Sequence, residues 1–451
     1  MLFATAVALC CGLVTATKAR HFDRAHSSFA VKNLRTEYLD KPLGLDVLAP
    51  RFSWEVAVAA ESNGTVARGV VQNSYRIIVI AEGKADSDPV WDSGVVLGDP
   101  IRVPYNGSAL VPGSVYSWSV SIELATADKN TEPVHVQSST TTFSIGLLTP
   151  SDWSGQFVGM SESNKSSNFA ADPWFRKTFT LDADQVAAVS SGGASALLYV
   201  ASLGFHEASV NGKPASETAV LVPSISYLPS RILYRTYNVT DLLDLSNGAT
   251  NALGVWAAAG WAEYFTFEWA DDVQFGGHAP LIMAELRIGG SVVNETVRLP
   301  LGIIELRIVT LILLLLLLRS VAVNCTTATQ ATRDASWRVK PSTTSRLGDW
   351  GNGGFGGDII DERLAIDGGW DVATLDDSDW ETATAVTINK NMTVSVRLTD
   401  SPGNNTWYAH NCSPPCDLGS SHPRPILWSQ RFEAETSRQP PSHALTLRRS
   451  S

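Results

Sequence analysis

Alternating apolar and polar residues recur through the first third of the chain. The clearest run is residues 116–124, where every second residue is apolar without a break. A period of two is typical of a β-strand with one buried face. Residues 74–80 and 141–145 are predicted as further strands, and prolines and glycines punctuate the intervals between them. The pattern predicts a small all-β domain over residues 28–146, a fibronectin type III-like or immunoglobulin-like sandwich.

A second series of strand patterns follows residues 147–153, which have the composition of a linker. Asn211-Gly212 lies between short extended runs and predicts a hairpin, because both residue types tolerate positive φ. Residues 232–239 mix aromatic, β-branched and polar side chains as a half-buried strand does. Asn247-Gly248 predicts a turn before the apolar run at residues 252–256. Two earlier runs are predicted as strands of the same larger β-domain: residues 174–181 and 196–200.

A leucine-rich stretch at residues 300–323 fits neither domain. Its uncharged part, residues 308–318, is much shorter than the roughly 20 residues that a membrane-spanning helix needs, and charged residues flank it on both sides. Six consecutive leucines also lack the alternation and β-branching of a sandwich strand. The residues themselves leave three interpretations open: a short transmembrane helix, a buried helical insertion, or sequence that does not belong to the folded protein.

The start of the chain has the pattern of a secretory signal peptide. An apolar core at residues 2–14 is followed by small residues, although no positive charge precedes the core. We predict a signal peptide at residues 1–19 and therefore a secreted, extracellular protein, with a buried first strand as the alternative. N-glycosylation sequons support secretion and indicate a glycoprotein. The predicted glycosylation sites are Asn63, Asn106, Asn164, Asn238, Asn294, Asn324, Asn391, Asn404 and Asn411.

Charge and cysteine content exclude several classes of partner. The net charge is −11, which argues against a nucleic-acid-binding surface, since that would need basic patches. No His or Cys cluster has the spacing of metal ligands. The shortness of the leucine run argues against a membrane partner. Cys412 and Cys416 could close a small disulfide loop in an oxidising compartment, within an irregular tail predicted over residues 401–451.

Several passages, taken in order, resemble the N-terminal, non-catalytic part of the bacterial-type α-L-rhamnosidases, family 78 of the glycoside hydrolases. LRTEYLDKPLGLDVLAPRFSWEV is similar to that family's opening, and SYRIIVI, VWDSGVV and VYSWSV continue it. The Asn-Gly-Lys hairpin and YRTYNVTD are similar to its β-domain. GGFGGDIIDERLAIDGGWDVATLDDSDWETA is similar to the passage that closes that domain. The order of these passages along one chain makes the resemblance specific.

The resemblance implies a fold and an activity. The fold is all-β: the first sandwich, then a jelly-roll-like accessory sandwich over residues 153–400, interrupted at residues 300–323. The activity is hydrolysis of terminal α-L-rhamnose, with rhamnosylated glycosides or polysaccharide as partners. In the family an (α/α)6 domain follows and carries the catalytic carboxylates. No helical-repeat pattern is found here, so we expect no catalytic residue in this chain and no activity from it alone.

Two alternatives accompany this interpretation. Family members run almost directly from a VRLP-like strand into a segment matched here by residues 333–337. Because an insertion at that join would split a sheet, we favour a retained intron or a gene-model error as the origin of the leucine-rich stretch. Transcript sequencing across residues 299–333 tests this. For the chain as a whole, the alternative function is a secreted, non-catalytic carbohydrate-binding β-protein.

The resemblance also directs attention to a sugar site, because the corresponding domain of some relatives binds sugar, in certain cases with calcium. A sugar site needs an aromatic face and carboxylates or amides for the hydroxyl groups. The best local cluster comprises Trp261, Glu263, Tyr264, Asp271 and Asp272. The alternative is that Trp261 belongs to the core and the two aspartates to a solvated turn. Calcium is the one cofactor considered, with Asp271 and Asp272 as its ligands.

Two other motifs are interpreted as structural. Asp361-Glu362-Arg363-Leu364 resembles part of the family's catalytic motif, but its neighbours match the β-domain passage, so we predict turn and surface roles. His206, which lies alone beside the hairpin, is predicted to be a hydrogen-bonded structural residue. The glycine-dense residues 351–357 are predicted to form a loop, because no strand-to-helix signal follows them.

Overall fold

Two β-sandwiches follow one another along the chain in a computed structural model. The structure describes residues 29–58, 69–125, 132–161, 171–224, 226, 231–263, 279–295, 337–347, 357–386 and 393–396. The predicted signal peptide, the leucine-rich stretch and the tail at residues 401–451 lie outside these ranges. Within them, no helix is both long and apolar enough to cross a membrane.

The first sandwich packs a 3-stranded sheet against a 6-stranded one. Its strands are β1 (Phe29–Thr36), β2 (Arg51–Val58), β3 (Val71–Ala81), β4 (Trp91–Asp92), β5 (Val96–Leu97), β6 (Val103–Pro104), β7 (Val115–Ala125), β8 (Val134–Gln137) and β9 (Thr141–Ser144). The order β1-β2-β6 makes the smaller sheet. In the larger sheet β3 pairs with β7 at the centre, while β4 and β5 flank β3, and β8 and β9 flank β7.

The alternation in β7 produces the core of the first sandwich. Its apolar residues at every second position, from Tyr116 to Leu124, are all exposed by 2% or less, whereas the residues between them are half-buried. Phe52 from β2 reaches across to Trp118, with 4.6 Å between ring centroids. The predicted strand and its buried face are therefore confirmed.

The second sandwich contains two 7-stranded sheets. Its strands are β10 (Val158–Gly159), β11 (Ala171–Thr180), β12 (Ala196–Leu203), β13 (Phe205–Val210), β14 (Lys213–Pro214), β15 (Arg231–Asn238), β16 (Thr250–Ala258), β17 (Leu281–Ile288), β18 (Ser291–Glu295), β19 (Arg338–Leu347), β20 (Gly357–Ile360), β21 (Glu381–Thr382), β22 (Thr384–Ala385) and β23 (Thr393–Val396). One sheet has the order β22-β10-β17-β12-β15-β23, with β18 beside β17. The other has the order β14-β13-β16-β11-β19-β20, with β21 beside β19. The all-β prediction is thus confirmed.

Local sequence explains the tight turns of this sandwich. Asn211 and Gly212 have φ of 54° and 76°, and Val210 pairs with Lys213 across them. The Asn-Gly hairpin is therefore confirmed, since two positive φ values suit its twist. One helix, α1 (Ala183–Ser190), escaped prediction. Its signal is a capping box, in which the Asp182 carboxylate accepts from the Gln185 backbone amide and the Gln185 side-chain oxygen accepts from the Asp182 backbone amide.

The sheet that contains β12, β15 and β17 is buried on both faces. One face packs into the sandwich interior through residues such as Val200 and Ile282. The other face places Tyr199 and Tyr234 in a cluster with Leu147, against which Leu43 and Val115 of the first sandwich pack. The predicted strand at residues 232–239 is confirmed as β15, but its predicted half-burial is wrong. It is buried at nearly every position because a neighbouring domain covers its outer face.

Residues 147–153, predicted to be a linker, are a packed part of this contact. Leu147 is fully buried, and its amide and carbonyl both bond to the Tyr234 hydroxyl, at 2.6 and 3.0 Å. A turn of 3₁₀-helix, Pro150–Asp152, follows, and Arg287 of β17 donates to the Asp152 carbonyl. The two sandwiches belong to a single compact unit.

Candidate functional site

One corner of the second sandwich holds the start of the predicted sugar cluster. There β16 ends and a turn of 3₁₀-helix, Gly260–Glu263, packs against the start of β13. Gly204 and Gly260 have φ of 112° and 50°. A Cβ at Gly204 would lie 2.1 Å from the Ala258 carbonyl oxygen, and one at Gly260 would lie 2.6 Å from the Phe205 ring. Glycine is therefore needed at both positions for the backbone to close this corner.

The structure describes the predicted sugar cluster in part. The backbones of Trp261 and Glu263 lie in the short 3₁₀-helix. Tyr264, Asp271 and Asp272 lie outside the described residues, so the sugar site stays a prediction. In the described part of the chain no group of His, Cys, Asp and Glu side chains could hold a metal ion. The calcium site considered at Asp271 and Asp272 lies outside that part and also stays a prediction.

Beside this corner, a buried histidine is held by two hydroxyl groups. His206 Nδ1 lies 2.8 Å from Ser202 Oγ and Nε2 lies 3.0 Å from Tyr237 Oη. Ser202 donates its own proton to the Gly204 carbonyl, so Nδ1–H donates to Ser202 and Nε2 accepts from Tyr237. Burial, with a smaller contribution from the nearby Arg235 cation, lowers the pKa of His206 to about 3. With both nitrogens engaged, this neutral imidazole has the structural role that the sequence indicates.

The passage around residues 361–380 covers the outer face of the other sheet. Trp174 of β11 stacks on Trp370, with centroids 5.5 Å apart and an interplanar angle of 7°. The guanidinium of Arg176 is fully buried, where it pairs with Asp377 and donates to the Val372 carbonyl at 2.7 Å. The local sequence pattern does not predict this arrangement. Its signal is the pair of tryptophans in the GGW and SDW segments, opposite a strand that carries both Trp and Arg.

Comparison with known families matches each sandwich separately. A family model described as "Rha78A-like, N-terminal immunoglobulin domain" matches residues 31–149. A second model, the α-L-rhamnosidase N-terminal domain, matches residues 193–297. Residues 31–149 and 193–297 therefore match, in this order, two N-terminal domains of α-L-rhamnosidases.

Curated relatives agree with this assignment. An α-L-rhamnosidase from Formosa agariphila is 28% identical over 267 residues, which cover 56% of this chain and 26% of the relative. One from an Alteromonas species is 25% identical over 353 residues, which cover 76% of this chain and 31% of the relative. The chain thus spans about a quarter to a third of the length of the curated α-L-rhamnosidases that it matches.

Solved structures show the same fold. The α-L-rhamnosidase of Dictyoglumus thermophilum aligns with a TM-score of 0.54 and 21% identity, over 82% of this chain and 35% of that one. The Streptomyces avermitilis α-L-rhamnosidase, solved with L-rhamnose, aligns with a TM-score of 0.52 and 18% identity, over 82% and 46%. At these identities the alignments establish the fold.

In this chain, the motif that resembles the catalytic one has a structural role. Asp361 caps the short 3₁₀-helix Glu362–Leu364 by accepting from the Arg363 amide. Its carboxylate also binds the Arg363 guanidinium at 2.5 and 2.7 Å. This pairing lowers the pKa of Asp361, whereas a general acid needs a raised pKa to hold its proton. The geometry is that of a surface turn.

Three of the predicted glycosylation sites fall within the described residues. Asn106 and Asn238 are exposed. Asn294, in β18, is only 4% exposed, which leaves little room for a glycan in this conformation. The other six asparagines, Asn63, Asn164, Asn324, Asn391, Asn404 and Asn411, lie outside the described residues, as do Cys412 and Cys416 of the predicted disulfide.

Proposed function

We propose that this chain is part of an α-L-rhamnosidase that hydrolyses terminal α-L-rhamnose from glycosides, with rhamnosylated glycosides or polysaccharide as substrates. The observation that carries the proposal is the ordered pair of matched regions, each of which lies in a separate sandwich. The names of the curated relatives supply the reaction class. No observation favours the alternative of a purely carbohydrate-binding protein.

In this proposal the two described sandwiches are non-catalytic support. Glycoside hydrolysis uses two carboxyl groups that flank the scissile bond, one of them with a raised pKa. Three carboxylates of the second sandwich are engaged in ion pairs: Glu285 with Arg287, Asp377 with Arg176, and Asp361 with Arg363. Each neutralises a neighbouring guanidinium and is held by it. We therefore assign structural roles to these three groups.

Secretion and sugar binding are part of the same proposal. The apolar core at residues 2–14 and the exposed sequon asparagines Asn106 and Asn238 support a secreted glycoprotein. A sugar site at Trp261 and its neighbours is supported by the corner that the two glycines close. Calorimetric titration with rhamnose tests this site, with Trp261→Ala as the variant. Unchanged affinity in that variant would remove the site from the proposal.

A hybrid enzyme tests the rhamnosidase assignment. The described domains replace the matching domains of the Streptomyces avermitilis α-L-rhamnosidase, and the hybrid is assayed with an aryl α-L-rhamnoside. We expect the hybrid to hydrolyse this substrate and the isolated chain to show no turnover. A hybrid that folds with a single cooperative transition but has no activity would contradict the assignment. Turnover by the isolated chain would contradict the supporting role of the described domains.

A further inference from the structure

An open cleft in the first sandwich lies between the edges of its two sheets. Its volume is about 540 Å³, within the roughly 300–1,000 Å³ typical of small-molecule sites. One wall comes from β3, β4 and β5 of the larger sheet, and the other from β6 and the turn that follows it. The residues used below are Tyr75, Trp91, Asp92, Tyr105 and Asn106, all of which line the cleft.

Aromatic side chains line the cleft. Trp91 is half-buried, and Phe52 from the core stacks beside it with 6.1 Å between centroids and a 24° interplanar angle. Tyr105 meets Trp91 edge-on, with centroids 5.3 Å apart. A Cβ at Gly107 would lie 2.5 Å from both Trp91 Cβ and the Tyr105 hydroxyl, so glycine allows the turn to close against these rings. Contacts within the protein therefore hold the Trp91 indole in position without a ligand.

The polar side chains of Asp92 and Asn106 also line the cleft. Asp92 accepts from Arg76 Nε and the Gly94 amide on Oδ1, both at 2.9 Å, and from Arg76 Nη2 on Oδ2 at 2.6 Å. A carboxylate offers about four acceptor sites, so one on Oδ2 remains for a ligand. These bonds lower the pKa of Asp92 to about 2. Asn106 is exposed, and no other described residue engages its side-chain amide.

We propose that this cleft binds one neutral pyranose ring, with the ring's C–H face on Trp91 and its hydroxyl groups bonded to Asp92 and Asn106. An aromatic face beside a fixed acceptor and an amide is the combination that sugars need. The occupant could come from two sources of the same chemistry. One is a free glycoside. The other is the first sugar of a glycan on Asn106 itself, since Asn106-Gly107-Ser108 is a sequon. That sugar would be joined covalently to the Asn106 amide nitrogen, so Trp91 and Asp92 would supply its non-covalent contacts.

Sequence analysis missed this cleft because its residues come from separate segments. VWDSGVV contributes Trp91 and Asp92 from an edge strand, while Tyr105 and Asn106 belong to a turn of the opposite sheet. The cleft shares no residue with the cluster at Trp261. Failure at this site would therefore leave the rhamnosidase assignment unchanged.

Ligand-detected NMR with the full chain from a host that does not glycosylate tests the proposal. The probes are methyl α-L-rhamnoside and N,N′-diacetylchitobiose, the disaccharide at the base of N-glycans. We expect at least one probe to bind, and Trp91→Ala to weaken binding about tenfold, which is the contribution of one stacked ring. Tyr38→Ala, an exposed aromatic of the same sandwich that does not line the cleft, is the matched control and should bind normally.

The two probes distinguish the sources. Binding of the rhamnoside that is lost in Trp91→Ala supports a glycoside site. Binding of chitobiose alone supports a binding position for the Asn106 glycan. The Asn106→Gln chain from a glycosylating host carries no glycan at that position and should then bind the free disaccharide. The wild-type chain from the same host, with its glycan in place, should not. Binding of neither probe would overturn the proposal, as would binding that Trp91→Ala leaves unchanged. Because that variant could unfold, Trp91→Phe gives a second test, and we expect it to retain most of the affinity.

Discussion

The strands β7 and β17 lie at the centres of their sheets, yet their burial differs. In β7 the buried positions alternate with half-buried ones. In β17 all positions are buried. Both strands have one row of side chains in a sandwich core. The difference lies in the second row, which in β7 is partly exposed and in β17 lies under the contact with the first sandwich.

The second row of β17 shows what such a contact requires. It carries Glu285, which is fully buried and accepts from Arg287 Nε at 2.6 Å and from the Ser154 amide at 2.7 Å. Arg287 in turn packs against Gly113 of the first sandwich. A Cβ added at Gly113 would lie 2.8 Å from the Arg287 guanidinium. A buried charge is tolerated when it is paired and hydrogen-bonded. The contact between the sandwiches is thus specified by polar pairing as well as by apolar packing.

Removing the buried carboxylate should have the largest effect. Glu285→Ala leaves Arg287 as a buried, unpaired cation, so we expect the free energy of unfolding to fall by about 3–5 kcal/mol. Urea denaturation measures this. The matched control is Arg76→Ala, which breaks the Arg76–Asp92 pair of the first sandwich, whose side chains are 46% and 33% exposed.

The control should change the free energy of unfolding far less than Glu285→Ala does, because exposed pairs contribute little. Equal, small losses in both variants would mean that the Glu285 carboxylate is solvated, contrary to the buried contact. The double variant Glu285→Leu with Arg287→Met should recover most of the lost stability, since it removes both charges together.

Removing one hydroxyl group from the contact should have the next largest effect. In Tyr234→Phe the amide and carbonyl of Leu147 lose the partner that they share. Two buried backbone groups without partners should cost about 2–4 kcal/mol in total, as measured by urea denaturation. Tyr116→Phe is the control in the first sandwich, where the hydroxyl accepts from the Val111 amide alone. A Tyr234→Phe effect no larger than that of this control would contradict the shared role of the hydroxyl.

Acid should lower the free energy of unfolding through the buried His206 of the second sandwich. The folded-state pKa of His206 is about 3, below the roughly 6.5 of an unfolded histidine, so the unfolded state binds the proton first. The stability from neutral His206 is complete above pH 6.5 and is lost as pH falls toward 3. Between pH 7 and pH 5 the loss should be about 2 kcal/mol.

The pH dependence of urea unfolding measures this loss, and His206→Gln should flatten it between pH 7 and pH 5. His135→Gln, which replaces a histidine of the first sandwich whose side chain is 77% exposed, should leave the profile unchanged. A profile that is identical in His206→Gln and the unmodified chain would show that the imidazole is not buried in its neutral form.

The smallest predicted effect concerns the helix that joins β11 to β12. Asp182→Ala removes the side-chain acceptor of its capping box and should lower the free energy of unfolding by about 1 kcal/mol. Thermal unfolding measures this, with Asp184→Ala in the first turn of the same helix as the control. If both variants lower the melting temperature equally, the stability is lost because a negative charge near the start of the helix is removed. That result would contradict the role of the Asp182 cap.

Comparison of particular elements shows which features the sequence could predict. Strict alternation identified β7, and Asn211-Gly212 identified a hairpin, because each depends on residues that are neighbours in the chain. The second buried face of β15 was not predicted, since a domain more than a hundred residues away covers it. The sequence also predicts a linker at Leu147 for the same reason, because its hydrogen-bond partner, Tyr234, is distant in sequence. The cleft around Trp91 and the stack of Trp174 on Trp370 also depend on distant segments.

The candidate sites also differ in whether they depend on neighbouring residues or on distant segments. The structural role of His206 was predicted correctly from its isolation, and that of Asp361 from its neighbours. The sugar cluster at Trp261, Glu263, Tyr264, Asp271 and Asp272 was assembled from residues close in sequence and awaits a binding measurement. The family itself was predicted from the order of short passages, each of which carries a local turn or strand signal.

Hydrogen exchange at residues 147–153 tests the central claim most directly, namely that the two sandwiches form one unit through a packed contact. Mass spectrometry of the full chain would compare a peptide that carries the Leu147 amide with one from the core strand β7. The account predicts that the Leu147 amide is protected as strongly as the core strand, and that Tyr234→Phe accelerates its exchange. Exchange in the unmodified chain as fast as that of an open linker would contradict the account.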